Sequence, residues 1–153
     1  NTGSTTGSST SGTGTSTSGT GSSTSGSTGS TTTSATGADK SLFITTTELN
    51  KITGVKATID LNASTYTKLK TMGGYVVIDN TYVLALSKTG KYIAATVTCS
   101  HEPKKRIIYS NEEWYCTDHG ARFSLTGTGL NQKANRGLTI YKVATDGNTV
   151  VIY

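Results

Sequence analysis

Both cysteines and both histidines of this 153-residue chain lie between Cys99 and His119, in two short clusters. The first reads Cys99-Ser100-His101, and after fourteen intervening residues the second reads Cys116-Thr117-Asp118-His119-Gly120. The pattern is Cys-x-His followed by Cys-x-x-His. Between the clusters, Ile107-Ile108-Tyr109 and Trp114-Tyr115 read as a short hairpin turning at Ser110-Asn111. Two thiolates and two imidazoles on two loops make a set of soft and borderline metal ligands. Whatever the rest of the chain folds into has to hold those loops side by side.

Two metal groups suit such a set. One is a tetrahedral zinc ion. The other is a [2Fe–2S] cluster with two Cys on one iron and two His on the other. Zinc fingers usually pair Cys with Cys and His with His along the chain. Here each loop supplies one of each, so each loop can offer one ligand to each iron. A Cys99–Cys116 disulfide in a secreted protein is a third reading, and it leaves the histidine spacing as coincidence. Zinc and the disulfide stand as the alternatives.

The segment Cys116-Thr117-Asp118-His119-Gly120-Ala121-Arg122-Phe123-Ser124-Leu125 resembles the second cluster loop of Rieske proteins. Thr98-Cys99-Ser100-His101 resembles the first, and the resemblance runs from about Asp60 to Tyr153. It implies one [2Fe–2S] cluster per chain, with Cys99 and Cys116 on one iron and His101 and His119 on the other. It also implies an all-β fold: a Rieske-type antiparallel β-sandwich with a small cluster-binding subdomain at about residues 99–125 and the histidine pair exposed at its tip.

Departures within the resemblance carry expectations of their own. High-potential members, such as those of cytochrome bc complexes, show Ser after the His-Gly and Tyr two residues later. Ala121 and Phe123 stand there in this chain, and neither side chain can donate a hydrogen bond to a sulfur. Since such bonds tune the potential, the midpoint is expected in the lower half of the roughly −150 to +300 mV Rieske range. Those members also carry one extra Cys per loop, joined as a disulfide. Lys104 and Asp118 occupy the corresponding places, and an ion pair between them is expected to bridge the loops. The pattern without the disulfide is similar to Rieske ferredoxins that serve oxygenases. The spacing between clusters is shorter than usual for the family, and Thr117 replaces a proline. Lys133-Ala134-Asn135-Arg136-Gly137 replaces the proline-containing loop that packs over the cluster.

Residues 1–38 are almost wholly Gly, Ser and Thr, with no charge and no aromatic. They carry a loose seven-residue repeat, as in Ser11 to Thr17 and Ser18 to Thr24. No position of it is apolar, so it is no coiled-coil heptad. Nothing in it offsets the entropy of ordering, and it reads as a flexible tether with a reach of about 30–40 Å. Its Ser/Thr richness also resembles an O-glycosylated stalk. Pairing of the tail with a neighbouring copy's sheet edge would give self-assembly.

The remainder, 39–153, is the size of one domain and is expected to bury one modest core. All of the +5 net charge lies in it. No apolar run approaches the ~18 residues that cross a bilayer. The chain begins with Asn and shows no signal peptide, and it reads as a processed chain. An extracytoplasmic location is expected, periplasm or cell surface, with room for a lipid anchor before residue 1.

From Lys40 onward the reading is β, starting with Leu42 to Thr46. Val55, Ala57, Ile59 and Leu61 alternate with polar residues as in a half-buried strand. Ser64 to Met72 has a weakly helical pattern that Gly73-Gly74 breaks. Tyr75 to Ile78 and Tyr82 to Leu86 flank a tight Asp79-Asn80 turn. A turn at Lys88-Thr89-Gly90 leads to a strand, Lys91 to Thr98, that delivers Cys99. Leu138 to Val143 and Val150 to Tyr153 read as a final hairpin.

Lys104, Lys105 and Arg106 follow His101 closely. They read as a docking patch that steers an acidic protein redox partner, or more plainly as a solvated basic turn. Nucleic acid is not expected as a partner. Trp114 and Tyr115 flank Cys116 and suit core packing, with one shielding the cluster. Asp79, Glu112 and Glu113 form no acid/base pair, and both histidines are already committed as ligands, so no catalytic residue is assigned. The expected function is one-electron transfer in an exported, tethered protein with no substrate chemistry of its own. Two alternatives stand beside it. One is a ferredoxin or small subunit supplying an oxidoreductase or oxygenase. The other is a surface or filament-forming protein that uses the Rieske-like domain as scaffold.

Overall fold

The computed structural model describes residues 37–153. The stretch 1–36, with the tether, stalk and self-assembly expected of it, lies outside the described residues. Among the described residues no helix is long and apolar enough to cross a membrane.

The first segment corrects the β reading of Leu42 to Thr46. A 3₁₀ turn spans Lys40–Leu42, capped by the Asp39 carboxylate, which accepts the Ser41 N–H at 2.9 Å. A one-turn helix, α1, follows at Thr46–Leu49. Thr45 Oγ1 accepts the Glu48 N–H at 3.2 Å, and Glu48 Oε2 accepts the Thr45 N–H at 2.8 Å. This capping box satisfies donors that the β-branched residues alone would have left to a strand partner. The local caps outweigh the modest β-propensity of the run.

The strands are β1 (Ala57–Asp60), β2 (Tyr75–Ile78), β3 (Tyr82–Leu86), β4 (Tyr92–Thr96), β5 (Ile107–Ser110), β6 (Glu113–Cys116), β7 (Arg122–Phe123), β8 (Ile140–Tyr141), β9 (Val143–Thr145) and β10 (Thr149–Ile152). β1 shows the expected alternation, with Ala57 and Ile59 buried and Thr58 and Asp60 exposed. Ser64–Lys70 is a 3₁₀ helix, so the spacing of three between Tyr66 and Leu69 reflects its three-residue turn. β2 and β3 form the expected hairpin. Asp79 and Asn80 both sit at φ 48°, the left-handed pair that a twist-matched two-residue turn requires.

The next hairpin turns one residue later than expected. Ser110 still pairs with Glu113, and Asn111 and Glu112 make the turn at φ 51° and 59°. A glutamate seldom adopts that conformation. Here its carboxylate is anchored by the Lys88 N–H at 2.7 Å and by the Tyr109 hydroxyl.

Three antiparallel sheets result, in the orders β1-β10-β9, β2-β3-β4-β8 and β5-β6-β7. The four-stranded sheet is the middle layer. Val83, Ala85, Ala95 and Val97 join Ile107, Tyr109, Trp114, Cys116 and Phe123 in one core. The alternate residues Leu84, Leu86, Tyr92 and Ala94 join Ile59, Val150, Ile152 and Leu69 in a second. Successive side chains of a strand point to opposite faces, so the unbroken apolar run of β3 feeds both cores. The expectation of one core is corrected to two, sharing one sheet. The expected final hairpin is corrected as well. β8 pairs with β4, and of β8 and β9 it is β9 that pairs with β10. Ile140 packs on the first core and Tyr141 and Val143 on the second, so the run changes sheets where the two cores diverge.

Candidate metal centre

The third sheet and the loops beside it build the site. After β4 the chain continues through a Thr98–Lys105 bridge to Cys99. The Cys99 N–H donates to the Lys104 carbonyl at 2.9 Å and closes a loop around Ser100 to Pro103. Cys116 ends β6 and lies opposite Ile107, whose N–H donates to the Val97 carbonyl at 3.1 Å. The Cys116 N–H donates to the Ala121 carbonyl at 2.9 Å, and the Gly120 N–H returns to the Cys116 carbonyl at 3.0 Å. Gly120 takes φ 73°, so this second loop turns without a Cβ penalty. The Thr117 N–H reaches the Arg106 carbonyl at 3.0 Å and ties the second loop to the first.

Both cysteines end in the same core, 3% and 1% exposed, as free thiols. Burial pushes the Cys99 thiol up, and hydrogen bonding with the neighbouring Cys116 thiol pushes it further. The backbone N–H groups of His101 and Glu102 hydrogen-bond to the same sulfur and pull the other way. The histidines stand together nearer the surface. Their ring centroids are 5.3 Å apart at 74°, and the His119 side chain is 35% exposed. His101 Nδ1 is buried with no hydrogen-bond partner. The four expected ligands are therefore brought together as a thiol pair and an imidazole pair, each loop giving one member to each pair.

Glu102 is a neighbour that the sequence reading passed over. Its carboxylate and one nitrogen of each histidine lie within 4.8 Å of one another. Its position directly after Cys-x-His was the available signal. Asp118 Oδ2 lies 3.0 Å from His119 Nδ1. Lys104 Nζ sits between the two acids, 2.7 Å from Asp118 and 3.2 Å from Glu102. The expected Lys104–Asp118 bridge is thus formed. The bond to Lys104 is the main cause that holds the Asp118 and Glu102 carboxyls below their ordinary values. The bond to Asp118 is the main cause that raises the Lys104 ammonium. Of the three basic residues after His101, Lys104 is engaged between the loops. Lys105 and Arg106 form no ion pair among the described residues.

Residues 131–134 form a third flank, at the place where the sequence shows Lys133 to Gly137. Asn131 Nδ2 donates to the Gly120 carbonyl at 2.8 Å, and Lys133 Nζ donates to the His119 carbonyl at 2.7 Å. No sequence signal singles out Asn131. Trp114, fully buried, packs edge-on against Tyr109 with centroids 5.8 Å apart, in the core-packing role expected of it.

The residues present fit a mixed-ligand iron–sulfur group. Both thiols are buried in one core, the His101 and Glu102 N–H groups face the Cys99 sulfur, and His101 offers a buried nitrogen that nothing else satisfies.

No known family's profile matches the chain, and no curated protein does. Among solved structures, it is similar to the plasma membrane Rieske protein PetC3 of the cyanobacterium Synechocystis PCC 6803, at 23% identity and a TM-score of 0.49, over 64% of this chain and 99% of that one. It is similar to the ferredoxin of carbazole 1,9a-dioxygenase from Nocardioides aromaticivorans IC177, at 18% identity and a TM-score of 0.48, over 63% and 97%. It is also similar to the quaternary ammonium Rieske monooxygenase CntA, at 19% identity and a TM-score of 0.46, over 63% of this chain and 32% of that one.

Proposed function

We propose that this protein carries single electrons through one Rieske-type [2Fe–2S] cluster held by Cys99 and Cys116 on one iron and by His101 and His119 on the other. The observation that carries the reading is the sorting of the four side chains: two thiols in the core, two imidazoles together toward the surface. When bound, such a cluster exchanges one electron reversibly.

The chain's own residues do the rest. Val97, Ile107, Trp114 and Phe123 share the core that holds the Cys sulfurs and keep water from them. The N–H groups of His101 and Glu102 stabilise negative charge on Cys99. The half-exposed histidines supply the short path to a protein partner. Lys105 and Arg106, exposed beside them, would favour an acidic docking face. In the setting we propose, 39–153 is the electron-transfer domain and 1–38 a tether on an exported protein. The support for the tether is its composition alone.

The experiment is an EPR spectrum of the dithionite-reduced full chain, with iron and zinc measured on the same sample. The expected result is a rhombic S = 1/2 signal with average g below 2 and about two irons per chain. The signal should disappear in C116S and in H119A. A silent spectrum with zinc in place of iron, or with no metal, would overturn the proposal.

A further inference from the structure

We propose that Lys133 and Asn131 form a third arm of this centre: Asn131 and Lys133 position the His119 loop, and the Lys133 ammonium raises the reduction potential of the group bound there. The inference rests on the Rieske-type reading above.

The arm is built by specific contacts. The Leu130 N–H donates to the Arg122 carbonyl at 2.8 Å and lays the segment along β7. Asn131 then bonds in both directions, Nδ2 to the Gly120 carbonyl at 2.8 Å and Oδ1 from the Arg122 N–H at 3.3 Å. A 3₁₀ turn over Gln132–Ala134 reverses the chain and buries Ala134. A Cβ on Gly129 would stand 2.1 Å from the Ala134 carbonyl oxygen, so the turn is folded back as closely as a backbone allows. From that turn Lys133 Nζ reaches the His119 carbonyl at 2.7 Å. A depression of about 390 Å³ beside them is lined by His119, Gly120, Asn131, Gln132 and Lys133.

The charge follows from what Lys133 does not touch. Lys104 faces the carboxylates of Glu102 and Asp118, which offset it. Lys133 forms no ion pair among the described residues, and a carbonyl carries no net charge to cancel it. It is therefore an uncompensated cation next to a ligand histidine. The reduced centre carries one electron more than the oxidised one. A fixed cation stabilises that form more and moves the potential upward, by an amount that salt screens.

The full chain with K133R, K133Q, K133M and N131A separates position from charge. The midpoint is measured by spectroelectrochemical titration at low and high salt, with EPR and iron content on each sample. K133M and K133Q are expected at a more negative midpoint than wild type, with the gap narrowing as salt rises, and K133R close to wild type. N131A is expected to lose iron faster to a chelator, with a smaller change in midpoint. An iron-replete K133M with the wild-type midpoint at low salt overturns the inference. If K133M fails to hold iron, K133Q decides: a lowered midpoint supports the charge role and an unchanged one defeats it. Wild type without iron defeats the Rieske-type reading, and this inference with it. Iron-replete wild type with an unmoved variant defeats this inference alone.

Discussion

Lys104 Nζ meets Asp118 Oδ2 at 2.7 Å, and this contact joins the loop of Cys99 and His101 to the loop of Cys116 and His119. Glu102 completes the group at 3.2 Å from the same ammonium. All three side chains are partly open to solvent, so the ion cluster adds little to global stability. Its effect falls on the separation of the two loops that carry the paired thiols and imidazoles.

K104M and D118N should each speed the loss of iron to a chelator, and the double variant should be no faster than the faster single one. That is the signature of residues acting as a pair. Raising the ionic strength should bring wild type toward the variants. Rates in the double variant equal to the product of the single effects would show that the two residues act independently.

Trp114 should be the most costly single residue of the first core to truncate. It is fully buried, and W114A should lose about 3–5 kcal/mol of stability. W114F should lose clearly less. The Trp114 indole nitrogen is buried with no partner, so phenylalanine removes an unsatisfied donor along with the contact area. Denaturant unfolding of the two variants compares them. Equal losses would mean that the phenylalanine ring recovers none of the packing that alanine loses.

The N-terminal segment is pinned to the β9–β10 turn by Asp146, which accepts the Thr46 hydroxyl at 2.8 Å and the Thr149 and Asn148 N–H groups at 2.8 and 2.9 Å. Burial pushes this carboxyl up, but the three hydrogen bonds outweigh it and hold it below its ordinary value of 3.8. A carboxyl lowered in the folded state contributes stability that is fully present above the unfolded value and is lost as pH falls through the folded one. Wild type should therefore lose this contribution below about pH 4. D146A should cost about 1 kcal/mol near neutral pH, with the gap closing in acid. A gap constant from neutral pH to pH 2 would rule out the ionised carboxylate as its source.

Ala121 and Phe123 are fully buried in the core that also holds Cys99 and Cys116. Neither side chain can donate to a sulfur. A121S and F123Y each add one donor, and each should raise the midpoint from a wild-type value in the lower half of the roughly −150 to +300 mV range. Redox titration of iron-replete samples reads the shift. A wild-type midpoint near the top of that range would show that other groups already supply the bonds.

What the sequence by itself determined were the features written within a few residues of one another. The two Cys/His clusters, the alternation of β1, the Asp79-Asn80 turn and the spacing of Tyr66 and Leu69 are of this kind. Each is a local conformational or chemical preference, so a short window contains it. The Lys104–Asp118 contact was also legible, because the resemblance to Rieske proteins sets these two residues where high-potential members carry a disulfide between the loops. Local capping was misread at Leu42 to Thr46, where the Thr45 and Glu48 box outweighs β-branching.

Only the tertiary structure decided the rest. It split the apolar residues of β3 and β4 between two cores, which moved β8 away from the last hairpin. It placed Glu102 beside both histidines and carried Asn131 and Lys133 back to Gly120 and His119. These contacts link groups whose chain separation says nothing of their distance. Burial of apolar surface on both faces of one sheet sets their positions, and no short stretch of sequence encodes that balance.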